Sequence, residues 1–184
     1  MSTNIERVLC FSALALLCAL GASASAQTPR YGFGARPSQA ELDRFFAVMP
    51  DGRGLPPGSG SVEQGKALYE QQCAACHGAN LQGGIGDKLI GGRGTLASAA
   101  PVKTVESYWP YATTLFDYIK RSMPFITPGS LTDEQVYSVV AYILGEANIV
   151  PKNAVLDAKS LPDIQMPNRD GFVPDPRPEI ELYR

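Results

Sequence analysis

Cys73-Ala74-Ala75-Cys76-His77 is the stretch of this chain whose residue types and spacing dictate a chemistry. Two thiols separated by two residues and followed at once by an imidazole form the C-x-x-C-H signature for covalent attachment of a c-type haem. Each thiol adds to a vinyl group of the porphyrin to make a thioether, and the neighbouring imidazole is held under the iron as its proximal axial ligand. His77 is the only histidine, and the other two cysteines, Cys10 and Cys18, lie in an N-terminal apolar run. A structural zinc site takes four ligands, typically Cys and His, and beyond that run the chain supplies only Cys73, Cys76 and His77 of those types. A thioredoxin-like dithiol belongs beside a βαβ pattern, whereas the residues here read as helix followed by glycine-rich loop. One covalently bound haem c is therefore the expected cofactor.

The elements that must position this group carry clear local signals. Ser61 with Gln64 makes an S-x-x-Q capping box, and Val62, Gly65, Leu68 and Tyr69 recur at helical spacing up to the motif. Thr132 with Gln135 makes a second box. Leu131 and Val136 sit where a hydrophobic staple would, and Val136, Val139, Val140 and Ile143 fill one helical stripe that should end near Leu144, with Gly145 as its stop. Between them a third helix is expected around Tyr111 to Arg121, with Pro110 tolerated at its start. Gly78 to Gly94 reads as loop.

Either side of this helical region, residues 61–147, the chain changes character. Residues 27–60 contain five prolines and residues 148–184 contain six. The expected organisation is a signal peptide (1–26), an N-terminal arm with a short helix (27–60), a haem domain (61–147) and an extended C-terminal arm (148–184). The signal peptide rests on the apolar run from Val8 to Leu20 and on Ala24-Ser25-Ala26 before Gln27. That run is shorter than the roughly 20 residues a spanning helix needs, so no membrane span is expected after cleavage near Ala26/Gln27. Leu9 and Leu17 precede the two cysteines, where a lipoprotein site would favour a small residue, and no twin-arginine pair is present. Export to the periplasm as an unfolded chain, with haem added afterwards, is the expectation. Glu6 and Arg7 would leave together, keeping the formal net charge at −2. No basic footprint for nucleic acid exists.

Two amphipathic helices, one just before C-x-x-C-H and one closing the domain, resemble the class I cytochrome c fold, which is all-α around one covalent haem. The resemblance implies that the terminal helices cross closely, with Gly65 against Tyr142, and that a methionine ahead of the last helix is the distal iron ligand. Met123 matches that position. Met49 and Met166 are the other methionines beyond the signal peptide, one in each arm, and a lone His77 leaves no second imidazole for the iron. Burial of the haem propionates calls for a cation or hydrogen-bond donors, for which Arg93 and Trp109 are the candidates.

Three longer segments sharpen the resemblance: Asp51 to Gly60, Tyr108 to Ile119, and Met166 to Phe172. They look like the monohaem cytochrome subunits of sulfite dehydrogenases, and like the related haem domain of the Sox sulfane dehydrogenase cytochrome subunit. The resemblance implies a molybdenum-cofactor sulfite dehydrogenase subunit as partner, a downstream cytochrome or oxidase as acceptor, and single-electron transfer with no catalytic site in this chain. A freely diffusing periplasmic electron carrier is the alternative. A haem enzyme or ligand sensor with a displaceable distal Met is a third reading, separable by carbon monoxide binding. The two long arms favour docking on a partner, unless they wrap their own domain.

Overall fold

The computed structural model describes residues 34–42 and 47–174, and the chain divides into two units, residues 1–42 and 43–184. The expected signal peptide, with Cys10 and Cys18, lies outside the described residues, as do residues 27–33 and 175–184 of the two arms. In the first unit the short helix expected in the N-terminal arm is α1 (Gln39–Leu42), where the Glu41 carboxylate accepts hydrogen bonds from the Ser38 amide and hydroxyl, both at 2.8 Å.

The second unit is mostly helical. In chain order it contains β1 (Ser59–Ser61), α2 (Val62–Gln72), α3 (Ala74–His77), α4 (Ala112–Ser122), α5 (Asp133–Glu146), β2 (Val155–Asp157) and a 3-10 turn at Leu161–Asp163. Both capping boxes form. The Ser61 and Thr132 side chains accept from the Gln64 and Gln135 amides, and each glutamine side chain accepts from its cap's own amide. Four backbone donors that a helix start leaves unpaired are thereby satisfied.

Helix α5 is buried on every side, with all ten residues from Val136 to Gly145 inside, which marks a helix surrounded by partners rather than one lying on a surface. Helix α2 crosses it so closely that a Cβ at Gly65 would overlap the Ser138 carbonyl and stand 2.7 Å from the Tyr142 Cβ. Gly65 thus meets Tyr142 as expected, and the Tyr69 and Tyr142 rings pack with centroids 5.1 Å apart. The helix does not stop at Gly145. It runs on to Glu146, because Gly145 serves packing instead, where a Cβ would sit 3.1 Å from a Val62 methyl. Asn148 provides the turn, with φ +52° and its amide bonded to the Gly145 carbonyl, a conformation that Asn tolerates better than most residues.

The flanks of the helical region join on the other side of α5. β1 pairs antiparallel with β2 in the register Ser59↔Asp157, Gly60↔Leu156 and Ser61↔Val155. Leu156, Leu161 and Met166 are all buried in the same core as α5, so the described part of the C-terminal segment is built into the domain. The N-terminal flank is tied down by polar contacts: the Val48 amide donates to Asp117 Oδ1 at 2.9 Å, Thr113 Oγ1 to the Pro50 carbonyl at 3.2 Å, and the Tyr137 hydroxyl to the Pro56 carbonyl at 2.9 Å. Burial, with the nearby Asp157 charge, pushes the Tyr137 phenol up to about 12.

Candidate haem site

The C-x-x-C-H residues open one wall of a cavity of about 450 Å³ enclosed by α2, α4, α5 and the loops between them, within the size range of ligand sites. Cys73 ends α2 and its amide bonds back to Tyr69, while Cys76 and His77 form the single turn α3, whose amides bond to the Cys73 carbonyl at 3.1 and 3.0 Å. That turn puts both thiols and the imidazole on the same cavity. Burial and the neighbouring Cys76 push the Cys73 thiol up to about 11.

His77 is oriented from behind. Its Nδ1 lies 2.7 Å from the Asp87 carbonyl, an oxygen that only an N–H can satisfy, so the proton sits on Nδ1 and the Nε2 lone pair is left for iron. The glycine-rich loop makes this approach feasible. Its amides wrap the motif, with Gly83 N–H donating to the His77 carbonyl at 2.8 Å and Gly86 N–H to the Cys76 carbonyl at 2.9 Å. A Cβ at Gly86 would stand 3.0 Å from the imidazole Cε1 and 3.1 Å from Nδ1. The Tyr69 hydroxyl adds a bond to the Gly78 carbonyl at 2.8 Å.

Across the cavity, Leu115 and Ile119 of α4, Val139 and Ile143 of α5, and Leu131 between these helices supply an apolar wall, and Met123 lines the cavity directly after α4. Met166 lies in the protein core and Met49 is exposed, and neither lines the cavity. Two thiols, an imidazole with a free Nε2, a thioether and apolar walls fit a covalently attached haem with His and Met axial ligands.

The two propionate candidates part company. Trp109 lines the cavity, its indole edge-on to Tyr118 with ring centroids 5.6 Å apart. Arg93 does not line it. Its guanidinium pairs with Glu106 at 3.0 Å and donates to the Ala147 carbonyl at 2.9 Å, fastening the end of the glycine-rich loop to the last turn of α5. Sequence reading missed the Asp87 carbonyl and the close approach at Gly86, although the run Gly83-Gly84-Ile85-Gly86, beginning six residues after His77, was a usable signal.

The segments around Tyr108 and Met166, singled out in the sequence, touch each other. Asn168 Nδ2 donates to the Tyr108 carbonyl at 2.7 Å, the Phe172 ring packs edge-on to Tyr108 at 5.2 Å, and the Arg169 guanidinium lies 4.5 Å over the Tyr111 ring. The residues on both sides of Trp109 are thus held by the C-terminal segment.

Comparison with known proteins agrees with this geometry. Residues 60–143 match the family described as cytochrome c oxidase, cbb3-type, subunit III. The chain is 32% identical over 115 residues to a thiosulfate dehydrogenase of Stutzerimonas stutzeri, covering 60% of this chain and 34% of that one. It is 28% identical over 111 residues to a thiosulfate dehydrogenase of Psychrobacter arcticus, covering 54% and 32%. The matched part thus spans about a third of the length of these curated relatives. A chain in the crystal structure of the sulfane dehydrogenase SoxCD from Paracoccus pantotrophus superposes with a TM-score of 0.73 at 40% identity, covering 83% of this chain and 76% of that one.

Proposed function

We infer that the chain is a monohaem c-type cytochrome, its residues 60–143 matching the cbb3-type subunit III family. Such a domain transfers electrons. The reading supported best is that of the electron-accepting subunit of a periplasmic, molybdenum-dependent dehydrogenase of sulfur compounds, with sulfite as the leading substrate of the partner. The observation that supports the sulfur-compound dehydrogenase as partner is the reach of the likeness to the sulfane dehydrogenase SoxCD; sulfite as its substrate rests on the sequence resemblance. The SoxCD likeness covers 83% of the chain, more than the haem domain alone accounts for, whereas the thiosulfate dehydrogenases share only about a third of their length with it.

Bound haem supplies a ferric/ferrous couple that takes one electron at a time. The chain's own residues hold that group and shield it. Cys73 and Cys76 would anchor it, His77 Nε2 and the Met123 sulfur would hold its iron, and the α4 and α5 side chains that line the cavity would keep water from it. The cavity reaches the surface beside Ile85 and Phe125, which are 93% and 82% exposed, so an apolar rim marks where a partner's redox centre comes close. A downstream cytochrome or oxidase then withdraws the electron.

The test is reduction of the purified haem protein by its molybdenum partner under stopped flow, with sulfite, thiosulfate and a persulfide offered in turn. Rapid reduction with sulfite supports the reading in full. Reduction only with a persulfide shifts the substrate to sulfane sulfur, and reduction with none of the three sinks it in favour of a free carrier.

A further inference from the structure

The loop that carries Met123 is closed at its base by one side chain. Residues 123–132 leave the end of α4 and return to the start of α5. Inside the loop there are few bonds: Thr127 N–H to the Pro124 carbonyl at 2.9 Å, Ser130 N–H to the Thr127 carbonyl at 3.3 Å, and a contact between the Ser130 and Thr127 hydroxyls at 3.2 Å. Its tip is apolar and exposed at Phe125 and Ile126. Lys120, in the last turn of α4, reaches over the gap. Its ammonium donates to the Leu131 carbonyl at 2.9 Å and lies 2.8 Å from Asp133 Oδ1, the second contact being one of charge rather than of hydrogen-bond geometry. Leu131 is itself buried in the cavity wall and Asp133 is the first residue of α5. The Lys120 side chain is only 22% exposed, so water competes weakly for the ammonium.

We propose that Lys120 is a positioning residue for the distal ligand: by tying the outgoing end of α4 to the incoming end of α5, it keeps the 123–132 loop short across its base and the Met123 thioether on the iron. This rests on Met123 being that ligand. A thioether binds iron through a single bond that exogenous ligands displace, so the occupancy of that bond follows how tightly the loop is held. A hydrogen bond from a charged donor contributes roughly 1.5–3 kcal/mol. Part of that is lost from the Met-bound state alone when the clip is removed.

Lys120→Leu keeps the aliphatic stem and adds no iron ligand. In the full-length ferric haem protein, this variant should bind imidazole about tenfold more tightly, the equivalent of about 1.4 kcal/mol. Its sulfur-to-iron charge-transfer band should melt well below the helical signal, while the two stay together in the parent. Lys120→Arg should restore most of the difference, and Asp133→Asn should fall between. Unchanged imidazole affinity in Lys120→Leu overturns the proposal, as does a band and helix signal that drop together, which would make Lys120 a general stabiliser. Met123→Ala is measured beside them. If it leaves the band of the parent intact, the ligand assignment itself is wrong and the proposal goes with it; if it abolishes the band while Lys120→Leu changes nothing, only the role of Lys120 fails.

Discussion

The proximal and distal sides of the haem site are built on opposite plans. On the proximal side the ligand is locked by backbone: the Cys73, Cys76 and His77 turn is wrapped by the Gly83 and Gly86 amides and His77 Nδ1 is fixed on the Asp87 carbonyl. On the distal side Met123 leads a loop with an exposed apolar tip, secured at its base, among the described residues, by Lys120. A ligand held by local hydrogen bonds is positioned as soon as its own segment folds. One held across the gap between two helices depends on the tertiary structure around it. With His77 and Met123 as the proposed iron ligands, the capacity for change would lie on the Met123 side, while the His77 side would stay fixed.

The largest effect comes from removing the proximal anchor altogether. Replacing Cys73 and Cys76 with Ala should abolish covalent haem, read as a polypeptide of bare mass, and with it the packing of every wall that faces the cofactor. Ending the chain before Val150 comes next, because it strikes the core that supports the cavity walls. It deletes Leu156, Leu161 and Met166 from the core, each burial contributing roughly 1.5–3 kcal/mol, and it frees Tyr108 from Asn168. A fall in melting temperature is expected together with a disturbed haem spectrum. An unchanged spectrum would show that the segment serves something other than its own domain.

Met123→Ala breaks the distal side alone. The haem should remain attached, the sulfur-to-iron band should vanish, and the reduced protein should newly bind carbon monoxide. Gly86→Ala probes the proximal side more gently: its methyl group must displace the imidazole by a few tenths of an ångström, at a cost of about 1 kcal/mol. Axial ligation should survive, with a shifted reduction potential and a weakened His77 bond to Asp87 visible in the imidazole proton resonance. The smallest effect lies away from both sides, at Asp157 in β2. Its carboxylate accepts from the Ser160 amide and hydroxyl and from the Lys159 amide, bonds that hold it below the ordinary aspartate value of 3.8. Because its proton affinity is lowered by folding, its contribution is present above that value and is lost as pH falls through the folded one. Asp157→Asn should flatten the acid limb of a denaturation curve slightly, without moving the haem spectrum.

What was legible in the sequence was local. The haem motif, both capping boxes, the three main helices and the close Gly65 to Tyr142 crossing all rest on residues a few positions apart or on the family resemblance; the structure shows the boxes, the helices and the crossing, and brings the motif's two thiols and imidazole to one cavity. The end of α5 was misplaced because Gly145 was read as a stop, when its missing side chain instead makes room for Val62. Arg93 was expected near a propionate because it is a lone cation in a glycine turn. The carboxylate that takes it, Glu106, arrives on a separate loop, and Ala147 comes from the far end of α5. The β1 and β2 pair and the contacts of residues 166–172 join irregular segments distant in sequence, and neither strand has a periodic pattern long enough to announce it.

The β1 and β2 pair also has a topological meaning. Thioethers at Cys73 and Cys76, as proposed, would attach the cofactor at one point of the chain, so they would close no long loop and would not restrict the unfolded polypeptide as a disulfide between distant residues does. Ser61 and Val155, paired in register, enclose every residue that lines the cavity. Since the entropy of closing so long a loop grows only slowly with its length, three residue pairs and the side chains packed beneath them are enough to fasten it. The ring of chain around the cavity is closed by noncovalent contacts between its flanks, and covalent bonds to a haem would only hang the cofactor inside it.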